Sequence, residues 1–272
     1  MDLERVWAVF FSPTGTTRKI VTAIAESIAN RVTVGYDEFD FTLPEARKTG
    51  RDFYRDDLIV FGVPVYAGRV PNVLLKYLDT LKGNSAIAIP VVLFGNRHYD
   101  DALIELRDIL EKDGFHTIAA AAFVGEHSFS TIIAGGRPDA ADMAIAGEFA
   151  DKVAGRLASI SPATPVNVPG NPYPYMKYYQ PRDAAGNPMD IRKVKPLTGE
   201  DCNDCKICTQ VCPMGSINYD NVRESNGICI KCCACIKKCP LHARYFDDGN
   251  YLYHKQELEE RLTGRVEPEL FV

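Results

Sequence analysis

The sequence predicts an α/β domain with a parallel sheet covered by helices on both faces, followed by a small cysteine-rich domain. Two observations indicate this organisation. Apolar runs of strand length alternate with helical segments over positions 1–160, and all nine cysteines lie between Cys202 and Cys239. At roughly 150 residues per domain, a chain of 272 residues has room for both units.

The first two strands and the first helix follow from the pattern of apolar residues. Residues 5–11 form a continuous apolar run, which is typical of a strand buried on both faces. Ile20, Ile24 and Ile28 then recur at helical spacing and predict a helix over 15–30. Residues 32–39 alternate between polar and apolar side chains, as a half-buried strand does.

The rest of the first domain continues the alternation. Apolar runs predict strands over 57–64, 87–94 and 115–124, and helical spacing predicts helices over 73–81, 102–110 and 138–158. Five strands separated by helices imply a parallel sheet with both faces covered.

Residues 161–199 have a different composition. They hold eight of the seventeen prolines, at positions 162, 165, 169, 172, 174, 181, 188 and 196, and four tyrosines, at 173, 175, 178 and 179. This stretch is too apolar for a free tether, so we expect it to lie extended over the protein surface. A flexible linker is the alternative.

Composition and charge limit the possible partners. The formal charge of -5 and a pI near 5.6 argue against nucleic acid or an anionic membrane as the main partner. No run approaches the roughly 18 apolar residues of a membrane span, and the first residues lack the layout of a secretory signal. We therefore expect a cytoplasmic protein.

The cysteines form an internal repeat with one constant offset: Cys202, Cys205, Cys208 and Cys212 recur as Cys229, Cys232, Cys235 and Cys239. Each set reads C-x2-C-x2-C-x3-C-P, the run found in bacterial ferredoxins with two clusters. In that arrangement three thiolates on a tight loop bind one cluster and the fourth binds the other. The predicted ligand sets are Cys202, Cys205, Cys208 and Cys239 for one cluster, and Cys229, Cys232, Cys235 and Cys212 for the other.

A zinc site is the alternative to this assignment, and the ninth cysteine needs a separate explanation. Zinc sites pair two C-x2-C knuckles and need neither the third close cysteine nor the proline. The spacing therefore favours iron–sulfur clusters over zinc. Cys233 falls outside the repeat, and we expect it to be a small buried residue rather than a redox group.

Residues 200–247 thus resemble a bacterial-type ferredoxin, a small α+β domain with two [4Fe-4S] clusters that carry single electrons. The resulting predicted organisation is a first domain over 1–160, a linker over 161–199, the ferredoxin-like domain over 200–250, and a surface helix and tail over 251–272.

A candidate anion site follows the first strand. Ser12-Pro13-Thr14-Gly15-Thr16-Thr17 opens a helix, and hydroxyl and N–H groups at a helix N-terminus can cradle a phosphate. No lysine follows in the Walker position, which argues against a nucleotide triphosphate loop. The sequence also lacks a G-x-G-x-x-G run, so a dinucleotide site of the Rossmann type is not supported. The loops at 64–71 and 95–100 follow the third and fourth strands, so they lie at the sheet edge where ligands bind in such folds. A capped helix start without a ligand is the alternative.

With S-x-T-G-x-T in the first loop, residues 3–158 resemble the flavodoxins. The resemblance implies a doubly wound five-stranded parallel sheet of order 2-1-3-4-5 that binds FMN. It implies that the phosphate is held by Ser12, Thr14, Gly15, Thr16 and Thr17. It also implies that the isoalloxazine lies between Pro64, Val65, Tyr66, Ala67 and Gly68 on one side and Gly95, Asn96, Arg97 and Tyr99 on the other.

The flanking loops are basic, which departs from the acidic surround of typical flavodoxins. Positive charge from Arg69, Arg97 and His98 would favour the anionic reduced flavin or bind an anionic substrate; solvated loop charges are the alternative. His127, after the fifth strand, could donate a proton to a substrate, or it could be structural. Arg97, His98 and His127 are therefore the candidate catalytic residues.

The whole chain resembles the flavodoxin–ferredoxin fusions, also called iron–sulfur flavoproteins. The resemblance implies a redox protein that passes electrons between two [4Fe-4S] clusters and FMN. We expect an oxidoreductase that reduces a small acceptor with electrons from an external carrier protein. An electron carrier without a substrate of its own is the alternative, and a redox sensor is a weaker third possibility. Direct use of NAD(P)H and the oligomeric state stay open.

Overall fold

The computed structural model describes residues 3–157 and 164–272. The predicted domain boundary at 160, Pro162 and the last residue of the predicted helix 138–158 lie outside the described residues. The strands are β1 Arg5–Phe10, β2 Gly35–Asp40, β3 Asp57–Pro64, β4 Ile87–Phe94, β5 His116–Thr117, β6 Ala120–Val124, β7 Leu197–Thr198, β8 Arg244–Tyr245 and β9 Glu269–Phe271. The α-helices are α1 Thr16–Val32, α2 Leu75–Leu78, α3 Ala102–Lys112, α4 Ala140–Arg156, α5 Ile207–Gln210, α6 Ala234–Lys237 and α7 Gly249–Arg261.

The first half is an α/β fold with a parallel sheet. The sheet order is β2-β1-β3-β4-β6-β9, and β5 pairs with β4. Strands β1 to β6 pair in parallel, whereas β9 is antiparallel to β6. Because the parallel strands all run the same way, the loops after β1, β3, β4 and β6 lie at one edge of the sheet.

Alternate residues of β1 face two separate cores. Val6, Ala8 and Phe10 pack with α1 and α4, whereas Val9, and Phe11 directly after the strand, pack on the side of α2 and α3. The continuous apolar run over 5–11 is therefore explained by burial of both faces of the strand.

Two predicted elements of the first domain differ in detail. The helix expected over 73–81 is a 3₁₀ turn over Asn72–Leu74 followed by the single turn of α2, and the chain then turns where Thr80 N–H bonds to Tyr77 C=O. The strand expected over 115–124 is interrupted between β5 and β6, and both pieces pair with β4.

The segment over 164–192, here called the strap, lies on the first domain. Its chief anchor is the buried carboxylate of Asp101, which accepts hydrogen bonds from Asn171 N–H at 2.9 Å and Met176 N–H at 2.7 Å. Tyr178 Oη donates to Val70 C=O at 2.8 Å, and Tyr179 N–H donates to Ala67 C=O. These bonds fix the extended path over the surface, in contrast to a flexible linker.

The C-terminal residues form the predicted helix as α7, and both this helix and the segment after it pack against the rest of the protein. Helix α7 buries Tyr251, His254 and Leu258. Beyond it, β9 adds an antiparallel strand to β6 and covers that edge of the sheet. A strand as short as β9, with mixed polarity, carries too little periodicity to be recognised in the sequence.

The Asp101 anchor predicts a pH-dependent strap. Burial alone would raise the pKa of Asp101, but the bonds from Asn171 and Met176 outweigh it, so the pKa is lowered. A lowered carboxylate pKa contributes stability above its unfolded value, near 3.9, and loses it as pH falls through the folded value. We expect Asp101→Asn to lower the free energy of unfolding by about 1–3 kcal/mol at pH 7, measured by urea denaturation.

The matched control is Asp108→Asn, because Asp108 binds the same strap by one side-chain bond, from Tyr175 Oη. It should cost less stability and leave the strap more resistant to limited proteolysis than Asp101→Asn does. Equal effects of the two substitutions on stability and on proteolysis would contradict the role of Asp101 as the chief anchor.

Candidate functional site

A cavity of about 660 Å³ opens at the edge where β3, β4 and β6 end. The loops after these strands supply one part of its wall, and the strap, α7 and the second cysteine loop supply the rest. Its lining includes Val65, Tyr66, Ala67, Gly68, Gly95, Arg97, His98, His127, Phe129, Tyr178, Tyr179, Met189, Arg192, Ile228, Cys229, Ile230, Lys231, His254 and Leu258. The cavity therefore brings parts of the two predicted domains together.

The loop after β3 forms one wall as a tight turn. Tyr66 and Arg69 exchange backbone hydrogen bonds at 3.0 and 3.1 Å, and the two residues between them have positive φ, 53° at Ala67 and 79° at Gly68. Gly68 is also required sterically, because a Cβ there would lie 2.3 Å from a carboxylate oxygen of Asp100. Four of the predicted flavin residues in this loop line the cavity; Pro64, the last residue of β3, does not.

Tyr66 connects the cavity with the second cysteine set. Burial raises the pKa of its hydroxyl well above 10, and the thiols of Cys232, Cys233 and Cys229 raise that pKa further. The hydroxyl therefore stays protonated at neutral pH and lies within electrostatic reach of these thiols.

In the loop after β4, two of the predicted flavin contacts are engaged elsewhere. Asn96 Nδ2 donates to Gly264 C=O at 2.7 Å, and Tyr99 Oη donates to Glu269 at 2.7 Å. Both side chains thus hold the C-terminal segment, and neither lines the cavity in the described structure. The sequence predicts that Asn96 and Tyr99 flank the isoalloxazine; in this structure a segment distant in sequence takes their polar groups.

The predicted excess of positive charge at the flavin loops is compensated. Arg69 forms a two-pronged ion pair with Glu105, at 2.6 Å for each contact, and its guanidinium lies over the rings of Tyr175 and Tyr178. Arg97 lines the cavity but pairs with Asp100 and lies over the Tyr179 ring. Both arginines therefore hold the loops and the strap in place.

The two candidate histidines differ in environment. His98 is exposed, and its Nδ1 accepts a hydrogen bond from Asp100 N–H at 2.8 Å. Burial lowers the pKa of His127 to about 4, and the charge of Lys237 lowers it further. His127 Nδ1 accepts from Phe129 N–H at 3.1 Å, so the ring proton of the neutral imidazole lies on Nε2. His127 is therefore a neutral hydrogen-bond donor in this structure and not a charged acid.

The predicted phosphate loop lies at the same sheet edge, outside the cavity lining. Gly15 begins α1 with φ 96°, and Ser12 Oγ accepts from Arg18 N–H at 2.9 Å. The first N–H groups of α1 have no partner within the helix. Thr14, Gly15 and Thr16 are half-buried, and Thr17 is buried. A Cβ at Gly125, in the loop after β6, would lie 3.1 Å from Thr16 Cβ, so these two loops pack closely.

The eight cysteines of the repeat line two small cavities. Cys202, Cys205, Cys208 and Cys239 line the first, and Cys212, Cys229, Cys232 and Cys235 line the second, together with Cys233. Each cavity thus combines three close cysteines with the distant fourth. Among the described residues, no group of three or more His, Cys, Asp or Glu is arranged to hold a metal ion. In a four-iron cluster each thiolate binds a different iron, so a lined cavity is the feature that such a cluster requires.

The two halves of the repeat share several features of backbone conformation. Helices α5 and α6 begin at equivalent positions of the repeat, and the positive φ angles of Asp204 and Lys206 recur at Lys231 and Cys233. Backbone N–H groups point at the fourth cysteine in both halves: Ser216 donates to Cys212 Sγ at 3.4 Å, and Ala243 donates to Cys239 Sγ at 3.3 Å.

This correspondence explains the ninth cysteine. Cys233 occupies the position of Lys206 in the other half, after the second cysteine of the set. Its side chain is buried with Phe246 and Tyr251, and burial raises the pKa of its thiol to about 12. The environment is that of a core residue.

One buried cation lies beside the first cavity without a carboxylate partner in the described part of the chain. Arg244 is 3% exposed, and its Nε and one terminal nitrogen have no hydrogen-bond partner. Burying an unpaired charge is costly. An anionic group bound among the cysteines would offset that cost, so this side chain fits a negatively charged cluster.

Lys237, in helix α6, joins the cysteine-rich part to the first domain. Its ammonium donates to Glu126 Oε1 and to His127 C=O, both at 2.6 Å, in the loop after β6. Sequence reasoning missed this contact and the cavity-lining residues Lys231 and His254. The repeat places Lys231 and Lys237 beside the second cysteine set but gives no signal of what they touch.

Comparison with known proteins gives limited matches. No protein-family model matches the chain. It is 35% identical over 86 residues to a selenate reductase subunit of Mesobacillus selenatarsenatis, a match that covers 27% of this chain and 26% of that protein. The chain thus spans about a quarter of the length of this curated relative. Among the described residues, no helix is long and apolar enough to cross a membrane.

Three solved structures illustrate the structural likeness. A flavodoxin from the domain Archaea matches 57% of this chain over 99% of its own, with 15% identity and a TM-score of 0.42. A flavodoxin of Streptococcus pneumoniae matches 56% of this chain over 99% of its own, with 16% identity and a TM-score of 0.39. An NADH:FMN oxidoreductase in its apo form matches 58% of this chain over 91% of its own, with 18% identity and a TM-score of 0.40. At these scores and identities, the likenesses define neither a ligand nor an activity for this chain.

The low pKa of His127 predicts a measurable pH dependence. Because the fold disfavours the charged imidazole, His127 contributes stability above its unfolded pKa, near 6.5, and loses it as pH falls towards about 4. We expect the free energy of unfolding to fall less steeply between pH 6.5 and 4 in His127→Gln than in the wild type, measured by denaturant titration at several pH values. The exposed control His98→Gln should keep the wild-type slope. A wild-type slope in His127→Gln would contradict the assignment.

Proposed function

We propose that this protein is an iron–sulfur flavoprotein oxidoreductase that exchanges electrons between two [4Fe-4S] clusters and FMN and reduces a small acceptor. The observation that carries the proposal is the shared cavity: Cys229 and its neighbours line the same space as Tyr66–Gly68 and Gly95. A flavin ring held by the sheet-edge loops would therefore have the second cysteine set as its immediate neighbour.

The residues proposed to hold FMN come from the loops at one sheet edge. The N-terminus of α1, with Ser12, Thr14, Gly15, Thr16 and Thr17, would bind the phosphate, and the turn Val65–Gly68 with Gly95 and Arg97 would flank the ring. When bound, FMN supplies one- or two-electron chemistry. The protonated Nε2 of His127 would offer a hydrogen bond into the cavity, and the strap would limit the access of water to it.

The residues proposed to hold the clusters are the two cavity-lining sets. Burial raises the thiol pKa of Cys208, Cys229 and Cys235, in the last case to about 11. Cluster binding would have to displace these protons. The N–H groups of Ser216 and Ala243 and the guanidinium of Arg244 would then stabilise the resulting negative charge.

Two features favour different roles for the two sides of the molecule. The cavity beside the second set has room for more than side chains and suits a small acceptor next to the flavin. Beside the first set, Cys205 is exposed, and exposed apolar side chains of residues 197–245 include Leu197, Tyr219, Leu241 and Tyr245. That surface suits an external electron-carrier protein and also keeps the carrier function open as the second candidate.

The similarity to a selenate reductase subunit supports a redox role for the part of the chain that it covers. Acceptor and donor stay open within the proposal, as does the expected cytoplasmic location. Anaerobically purified protein should contain about one FMN and about eight irons with matching sulfide. In an anaerobic reductive titration, the visible absorbance of both cofactors should bleach. A colourless protein with two zinc ions would contradict the proposal.

The crossed ligand sets predict how single cysteine changes act. Cys212→Ala should remove the same cluster as Cys232→Ala, because both line the second cavity. Cys239→Ala should in turn match Cys205→Ala. Each variant should lose about half of the iron, and low-temperature EPR of the reduced protein should give two different remaining spectra. If Cys212→Ala instead matched Cys205→Ala, each fourth cysteine would belong to its own set and the crossed assignment would be wrong.

A further inference from the structure

We propose that Arg244 donates N–H groups to sulfur atoms of the first-set cluster and raises its reduction potential. The inference rests on the proposed function, because it concerns the same iron–sulfur sites. It assigns to one side chain a tuning role that distinguishes the two halves of the repeat.

The guanidinium is fixed in place on one side and unsatisfied on the other. One terminal nitrogen donates to Val222 C=O at 2.8 Å and to Thr198 Oγ1 at 2.9 Å. The remaining two nitrogens have no partner among the described residues, although the side chain is almost fully buried. Buried donors are nearly always hydrogen-bonded, so this geometry points to an acceptor that the protein itself does not supply.

The position of Arg244 identifies that acceptor. It lines the first cavity with Cys202, Cys205, Cys208 and Cys239, and its bound terminal nitrogen lies 3.9 Å from Cys208 Sγ. Arg244 therefore lies beside the first set.

The internal repeat shows that this arginine is not a general requirement of the cysteine loops. At the offset that relates Cys202 to Cys229, Arg244 corresponds to Ile217, which is buried in an apolar group with Cys208 and Val222. One half thus uses an apolar side chain where the other uses a cation. A buried cation is tolerated when an anion lies beside it.

The direction of the effect follows from charge. Reduction adds an electron to an already negative cluster, so a neighbouring cation stabilises the reduced form more than the oxidised form. Hydrogen bonds to sulfur and local charge are among the factors that set cluster potentials. The first-set cluster should therefore be easier to reduce than it would be beside an apolar residue.

The test replaces Arg244 by Ile, the residue of the corresponding position, in the full-length protein loaded anaerobically with FMN and iron. EPR-monitored redox titration should show the first-set cluster at lower potential, with at least a tenfold change in its reduction equilibrium, about 59 mV for one electron. The control is Arg223→Gln, because Arg223 is an exposed arginine that bonds to Thr198 C=O nearby. It should keep wild-type potentials.

The outcomes separate this inference from the proposed function. Wild-type protein without clusters would defeat the proposed function itself. Two clusters at unchanged potentials in Arg244→Ile would overturn only the role of Arg244. If Arg244→Ile does not retain both clusters, the test uses Arg244→Gln, which removes the positive charge and keeps N–H donors. A lowered potential of the first-set cluster in that variant supports the assignment, and a wild-type potential overturns it.

Discussion

The parallel arrangement of β1, β3, β4 and β6 places the ends of four strands at one edge of the sheet, and the candidate site is built over that edge. Backbone loops alone would leave the edge open to water. The strap, α7 and the second cysteine loop cover it and leave a cavity of about 660 Å³. The cysteine-rich part is therefore in direct contact with the first domain. Lys237 binds it to the loop after β6, and its residues 228–231 form part of the cavity wall.

Polar residues of the edge loops hold this cover in place. Asp101 and Arg69 bind the strap, and Asn96 and Tyr99 bind the C-terminal segment. Arg69, Asn96 and Tyr99 looked like ligand contacts in the sequence, because polar loop residues at a sheet edge commonly serve ligands. Intramolecular partners use up most of these hydrogen bonds. The cavity consequently takes its polar character from backbone, aromatic rings and a neutral His127, and also from Lys231, whose ammonium donates to Arg192 C=O and Cys229 C=O.

The layered α/β part of the fold could be predicted because buried strands such as 5–11 leave unmistakable apolar runs. The cysteine spacing likewise indicated which four residues share a cavity. The strap contacts and β9 could not be predicted, since each depends on pairing between segments far apart in sequence and leaves no local period. Arg244 and Cys233 are a different case. Alignment of the two halves on their cysteines pairs Arg244 with Ile217 and Cys233 with Lys206, so the sequence alone could have marked both residues as departures from the repeat.

The central claim is that the second cysteine set, and not the first, adjoins the flavin. The most direct measurement is rapid photochemical reduction of the loaded protein by a one-electron donor, with flavin absorbance followed in time. We predict intramolecular reduction of FMN at a rate independent of protein concentration. It should survive Cys205→Ala, which removes a ligand of the first set, and be lost in Cys232→Ala, which removes one of the second. Survival in Cys232→Ala together with loss in Cys205→Ala would contradict the account.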